Sequence, residues 1–344
     1  MSKPIVAISL FTAAIVIACA PVANAQAYAI GSDARPRVQA VPTGQKIFTD
    51  GFSDSSGTVI ERARHFGYEL GQTPGNPFFT ADPGFNAVVG SGLPAGQQLR
   101  FDVAYHLRRW NGAAGPVSFQ PATDSSLQLR FGASNVSITA SSIASPGFTI
   151  GSISSAGSIH RHLNATLLNP DGSTPLPGLY FSAIRLSTTG GNIQRSDALY
   201  IAYNTGLSQT DFNRGMAYLA SPRPGDANFD NEVDFADLVL LARNFNLGPD
   251  LSIFDGDFDG DGTVAFPDLV LLARNFNTPP SLLGDGGVAA GVASGVAGGD
   301  GSNFVSELSR AAAVATVPEP TLMGLIAASG LLMLRRNRNV SPSH

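Results

Sequence analysis

DANFDNEVDFADLVLLARNFN (226–246) and DFDGDGTVAFPDLVLLARNFN (257–277) are one unit written twice. Their last ten residues, DLVLLARNFN at 237–246 and 268–277, are identical, which marks an internal duplication. Each copy places oxygen-bearing side chains at loop positions 1, 3, 5 and 12: Asp226, Asn228, Asp230 and Asp237, then Asp257, Asp259, Asp261 and Asp268. Calcium is a hard cation that takes about six to eight oxygens, and a loop of about 12 residues can wrap them around one ion. Position 7 gives only its backbone carbonyl, so Glu232 and Thr263 are expected to contribute through the main chain. Position 6 needs a sharp turn, which suits Gly262, and Asn231 tolerates positive φ next best. Position 9 is Asp234 in the first loop and Ala265 in the second, where a water ligand is expected. Asp at position 12 departs from the longer Glu of the EF-hand pattern. Two calcium sites are therefore expected.

After each loop an apolar face repeats at helical spacing: Leu238, Leu241, Ala242 and Phe245, then Leu269, Leu272, Ala273 and Phe276. A charged, solvated linker is the competing reading, but a linker has no reason to repeat a ligand spacing or to follow it with an apolar stripe. Without a cation the clustered carboxylates repel one another.

Two loop–helix units without the usual entering helix resemble a type I dockerin, over residues 223–278. The resemblance implies two bound Ca2+ ions and a cohesin partner met near loop positions 10, 11, 17 and 18. Those positions hold Phe235, Ala236, Ala242 and Arg243, then Phe266, Pro267, Ala273 and Arg274, in place of the hydroxyl-bearing pairs of cellulosomal dockerins.

Working outward, the 344-residue chain has 38 Gly, 23 Pro, 14% charged residues and a net charge of −5, which suits an exported, loop-rich β protein. With no basic patch, nothing points to nucleic acid. Residues 1–25 read as a secretory signal: Lys3, an apolar run to Ala20, and Ala23-Asn24-Ala25 before the cut. VIAC at 16–19 offers lipidation at Cys19 as the rival. Because that is the single cysteine, the mature chain has no internal disulfide.

Residues 26–222 carry alternating or β-branched runs bounded by turn residues: QLRFDVAYHLRRW (98–110), LQLRFG (127–132), NVSITAS (135–141), GSIHRHLNATLL (157–168), GLYFSAIRLS (178–187) and DALYIAYN (197–204). They predict a mainly β domain, an antiparallel sandwich of jelly-roll type, followed by a small all-α, EF-hand-like calcium module. The last two runs read as a wide hairpin.

His160 and His162 sit two apart on a predicted strand, so both point to one face, a workable geometry for zinc with His106 or Asp102 completing the site. The bland alternative is an exposed strand face carrying two histidines. SIHRHLNATLLNPDGSTPLPGLYFSAIRLST (158–188) resembles the His-x-His-x-Asn and Pro-Gly-x-Tyr signature of bacterial surface-anchored repeat proteins, on His160, His162, Asn164, Gly178 and Tyr180. DPGFNAVVGSGLPAGQQLRFDVAYHLRRWNG (82–112) resembles a zinc-regulated family of exported proteins, and both resemblances imply Zn2+. No Gly-x-Ser-x-Gly elbow, His-Glu-x-x-His helix or phosphate loop is present, so no enzyme is expected. The lone Trp110 does not make a sugar-stacking row and is expected to pack a core edge. A polysaccharide-binding or hydrolytic module stays as an alternative.

Residues 279–316 form a Gly/Ala-rich linker opened by Pro279-Pro280. VPEP at 317–320, the apolar run TLMGLIAASGLLML, and Arg335, Arg336 and Arg338 close the chain. The run is short of a full membrane span. This tail (317–344) resembles a PEP-CTERM sorting signal, which implies a transient membrane anchor, processing by an exosortase, and display on the surface or in the matrix of a Gram-negative-type bacterium.

Overall fold

A computed structural model describes residues 28–279 apart from 42–43, 54 and 143–144. The predicted leader, the sorting tail and all but the first residue of the linker lie outside the described residues. What is described is mainly β.

The largest sheet runs, strand by strand, Tyr28–Ile30, His65–Glu69, Leu199–Thr205, Gly178–Thr188, Gln98–Trp110 and Ser145–Ser152, with Gln120–Pro121 added beside Gln98–Trp110. Gly178–Thr188 and Leu199–Thr205 are the expected hairpin, in register from Gly178↔Thr205 to Ile184↔Leu199. Both central strands are buried on two faces, as an almost unbroken apolar run requires. On one face Tyr180, Ile184, Leu186, Leu199, Ile201 and Tyr203 enter the main core. On the other, Leu179, Phe181, Ala183, Tyr200 and Ala202 enter a second core.

The main core also draws on a four-stranded sheet (Ser134–Thr139, Ser126–Phe131, Asn164–Leu168, Phe79–Thr80) and a five-stranded one (Ile159–His162, Gly84–Ala87, Asp33–Val41, Gly44–Ser53, Thr58–Ile60). The expectation of an antiparallel fold holds for most pairs, but three are parallel: Tyr28–Ile30 with His65–Glu69, His65–Glu69 with Leu199–Thr205, and Asp33–Val41 with Gly84–Ala87.

The run expected as one strand over 157–168 is two, Ile159–His162 and Asn164–Leu168, in different sheets. Leu163 is the break: fully buried in the main core, it donates its N–H to the carbonyl of Pro83 at 3.0 Å. A twelve-residue helix not foreseen, α1 (Gln209–Ala220), follows the hairpin. Ser208 caps it by accepting from the Asp211 N–H at 3.1 Å, and Phe212, Met216 and Leu219 lay one face on the second core. Trp110 lies in that core too, with the Arg214 guanidinium 4.7 Å above its ring.

The duplicated segment gives two ten-residue helices, α2 (Phe235–Asn244) and α3 (Phe266–Asn275), each preceded by its acidic loop. Leu238, Leu241, Leu269 and Leu272 pack with Val233, Val264 and Phe258 in a third core. The copies close on each other reciprocally. Asn277, after α3, donates its N–H to Val233 O in the first loop (2.8 Å), and Asn246, after α2, donates to Val264 O in the second (2.7 Å).

Candidate metal centres

Both acidic loops wrap inward on their carboxylates. In the first, Asp226 accepts from the N–H groups of Asp230 (3.2 Å) and Asn231 (2.8 Å). Asn228 accepts from Asp230 N–H at 2.8 Å, and Asp230 from Glu232 N–H at 2.9 Å. Asp237 reaches back from α2: one oxygen takes the N–H of Ala227 (2.9 Å) and Asn228 (3.2 Å), the other that of Asp234 (2.9 Å). The second loop repeats this wiring. Asp257 accepts from Gly260 (2.9 Å) and Gly262 (3.0 Å), Asp259 from Asp261 (3.1 Å), and Asp261 from the N–H and hydroxyl of Thr263 (2.8 and 2.6 Å). Asp268 takes Phe258 (2.7 Å), Asp259 (3.1 Å) and Ala265 (2.8 Å). The turn at position 6 has the expected positive φ, 67° at Asn231 and 89° at Gly262.

In the second loop, Asp257, Asp259 and Asp261 offer oxygens that all lie within 4.8 Å of one another, a group that could hold a metal ion. Both oxygens of Asp257 and the accepting oxygen of Asp259 keep a further lone pair beside the one N–H each accepts. Burial, helped by neighbouring carboxylates, pushes Asp226 and Asp257 up to about 7 and Asp237 to about 8, and raises Asp268 in the same direction. Asp234, expected as a position-9 ligand, caps α2, accepting from the Ala236 N–H at 2.7 Å.

The first loop and the segment between the two copies are seated on the β sheet. Phe229, at position 4 of the first loop, is fully buried in the second core among Tyr105, Phe181 and Tyr200, and its carbonyl accepts from Phe119 N–H at 2.8 Å. Phe254, between the two copies, stacks on Tyr105 with centroids 4.7 Å apart. Arg185, on the central strand, donates to Ser252 Oγ (2.7 Å) and Asp250 O (2.9 Å). Tyr218 on α1 donates its hydroxyl to Asp226 Oδ2. Burial holds that phenol well above the ordinary tyrosine range, so it remains a donor.

A second group forms at one end of the five-stranded sheet. His160 and His162 stand on Ile159–His162, which pairs with Gly84–Ala87 so that His162 lies opposite Gly84. The next strand over begins at Asp33. His160 Nε2 and His162 Nε2 are 3.0 Å apart, and Asp33 Oδ2 lies 3.4 Å from the first and 3.6 Å from the second. Asp33, His160 and His162 thus make another group that could hold a metal. Asp82 Oδ1 sits 3.2 Å from His162 Nδ1.

The third partner differs from the expectation. His106 lies on Gln98–Trp110 beside Tyr105, 3.3 Å from Arg108 Nη1, and burial lowers it to about 4. Asp102 is on the same strand, in register with Arg185. Neither is in the group that contains His160 and His162. Asp33 carried no sequence signal, since it meets the histidines only through strand order. No family model matches the chain, and no curated protein matches it.

Proposed function

We propose that the chain is an exported cell-surface or extracellular-matrix protein in which a β-sandwich is displayed beside a calcium-binding, dockerin-like loop–helix pair. One observation carries this reading. Asp257, Asp259 and Asp261 converge their oxygens within 4.8 Å, on a loop whose wiring the first copy repeats with Asp226, Asn228 and Asp230. Crowding carboxylates around one point, with Asp226 and Asp237 buried in the first loop and Asp257 and Asp268 in the second, is costly unless a cation offsets their charge. Calcium suits an all-oxygen donor set of this flexibility. Glu232 and Thr263 are assigned carbonyl roles, and Asp237 and Asp268 close each loop from the first turn of its helix.

The sandwich reading is supported by a main core that draws on the large sheet and both smaller ones. A docking role is supported by Phe235 and Phe266, duplicated first-turn residues that are 47% and 45% exposed. A cohesin-like partner is the class such a face suits. Export and exosortase sorting rest on the two ends of the sequence, and display needs no reaction. No helix among the described residues is long and apolar enough to cross a membrane.

Calorimetric titration of the chelator-treated full chain tests the reading. Two calcium ions bound per chain is the expected result, and heats no larger than dilution would overturn it. Intact-mass measurement of the mature form should find the segment from Thr321 onward removed. Retention of Arg335 to His344 would refute the sorting proposal.

A further inference from the structure

We propose that Asp33, His160 and His162 form a mononuclear zinc-class site with three protein ligands and a fourth position open to an outside donor. The argument starts from the triangle of donor atoms, with sides of 3.0, 3.4 and 3.6 Å. Zinc bonded to nitrogen and oxygen at about 2.0–2.1 Å in a tetrahedron separates its ligands by about 3.3–3.4 Å. An octahedral ion of similar bond length would bring neighbouring ligands to about 3.0 Å, shorter than two of the three sides. Two imidazoles and one carboxylate are a donor set that suits zinc better than calcium, which takes oxygens.

The surroundings are arranged for that convergence. His162 turns its Nδ1 toward Asp82, 3.2 Å away, which orients the ring so that Nε2 faces Asp33. A carboxylate behind a ligating histidine fixes its tautomer and raises its basicity. Asp33 is buried, while the two imidazoles are about half exposed, so the group is rooted in the fold and open on one side. Gly84 lies between the ligand-bearing strands. A Cβ there would collide with the Asp33 carboxylate and come within 2.8 Å of the His162 ring, so only glycine lets them approach. Two buried tyrosines hold the backbone on either side: Tyr68 donates to Ser32 O at 2.9 Å and Tyr203 to Asp82 O at 3.4 Å.

Three protein ligands and an accessible fourth position are the pattern of zinc sites that exchange water for another donor. The outer ligand is thus a water, or a carboxylate or imidazole brought by whatever the surface meets.

The test is a zinc titration of the full chain in millimolar calcium, which keeps the acidic loops occupied. The expected result is one zinc per chain with micromolar or tighter affinity, abolished by His160→Ala and by His162→Ala. Both side chains are exposed, so neither change threatens the fold. Asp82→Asn should weaken binding by about 10–100-fold without abolishing it. Cobalt(II) in place of zinc should give the intense visible absorption of a tetrahedral ion. No zinc uptake by the unaltered chain would overturn the proposal, as would a weak octahedral cobalt spectrum. Zinc lost in Asp257→Ala but kept in His160→Ala would also overturn it, by moving the metal to the acidic loops. Calcium stoichiometry is read separately, so failure here leaves the calcium reading standing.

Discussion

In the first copy of the duplicated unit the loop is pressed against the β sheet, whereas in the second it turns toward solvent. The position-1 aspartates, Asp226 and Asp257, are buried in both, but positions 3 to 6 differ: Phe229 and Asn231 are buried and Asn228 and Asp230 half-buried in the first, whereas Asp259, Gly260 and Asp261 are exposed and Gly262 half-buried in the second. The helices that follow are the same ten residues apart from Ala236 and Pro267. Position 4 accounts for much of the contrast: Phe229 enters the aromatic core of the sheet, and Gly260 has no side chain to bury. The inward hydrogen bonding onto the loop carboxylates is common to both copies, while attachment to the rest of the molecule is written outside the shared ten residues. A two-fold module has thus become asymmetric by changing side chains that the loop geometry does not need.

The largest effect should come from removing the cation from both loops at once. Without metal, the folded carboxyls of Asp226 and Asp257 sit at about 7, against an ordinary value of 3.8. A folded pKa above the unfolded one means that the folded form holds protons the unfolded form has lost. The metal-free stability due to these groups is therefore fully present below about pH 4 and is lost as pH rises through 7. Calcium removes the need for those protons. Calorimetry should show the unfolding temperature of the chelated chain falling between pH 5 and 8, with the gap to the calcium-loaded chain widening. A gap that stays constant across that range would break the comparison.

Next in size is Phe229→Ala, which should cost about 3–5 kcal/mol because it empties a site with no exposure at all. Urea denaturation measures it. The change should destabilise the β part as well, since Tyr105, Phe181 and Tyr200 lose a common neighbour. For the same reason the isolated 224–278 segment, lacking those partners, should be less helical in calcium than the same residues in the full chain. An isolated segment with full helicity in calcium would show that the second core is not needed.

How much of this was legible follows from the range of each interaction. The inward-wired acidic loops, the turns at Asn231 and Gly262 and the two helices were readable because their determinants lie within one loop and the turn after it. The strands at Gln98–Trp110 and Gly178–Thr188 were readable because burial imposes a local pattern. Leu163 was misread as mid-strand, since nothing nearby tells that its N–H goes to Pro83. The helix α1 did carry a signal, Ser208 and Asp211 before Phe212, Met216 and Leu219, but it is brief. Asp33 beside His160 and His162, and Tyr218 beside Asp226, were not legible. Those pairs depend on strand order and on how α1 lies across the sheet, which no window of sequence contains.

Asp234→Ala converts position 9 of the first loop into the Ala265 of the second. The loss is that of an N-cap, about 1 kcal/mol, because Asp234 accepts from Ala236 N–H while Ala265 has no side chain that can. If Asp234 also reaches a bound ion through water, the first site should weaken toward the second. Calorimetry that resolved two unequal calcium sites before the change and two similar ones after it would sharpen the comparison. Two sites of unchanged affinity would confine Asp234 to capping.

The narrowest effect should come from Tyr218→Phe, which touches one site alone and so separates the loops most cleanly. The ring of Tyr218 is buried in the second core, and phenylalanine preserves that packing, so the change removes only the hydroxyl on Asp226 Oδ2. A buried hydrogen bond to a carboxylate contributes about 1–2 kcal/mol, less once the lost donor's own desolvation is counted. In the metal-free chain the donor lowers the Asp226 pKa against the rise caused by burial, so its loss should move that carboxyl further up. Protons would then compete more strongly with calcium at the first site. The second has no counterpart among the bonds that Asp257 accepts, which come from backbone N–H groups. The expected outcome is a first-site calcium affinity reduced by a few fold at pH 7, a smaller reduction at pH 8.5, and no change at the second site. Equal weakening of both sites would mean that the copies are coupled through α2 and α3, and that the seat on the sheet does not set the first loop apart.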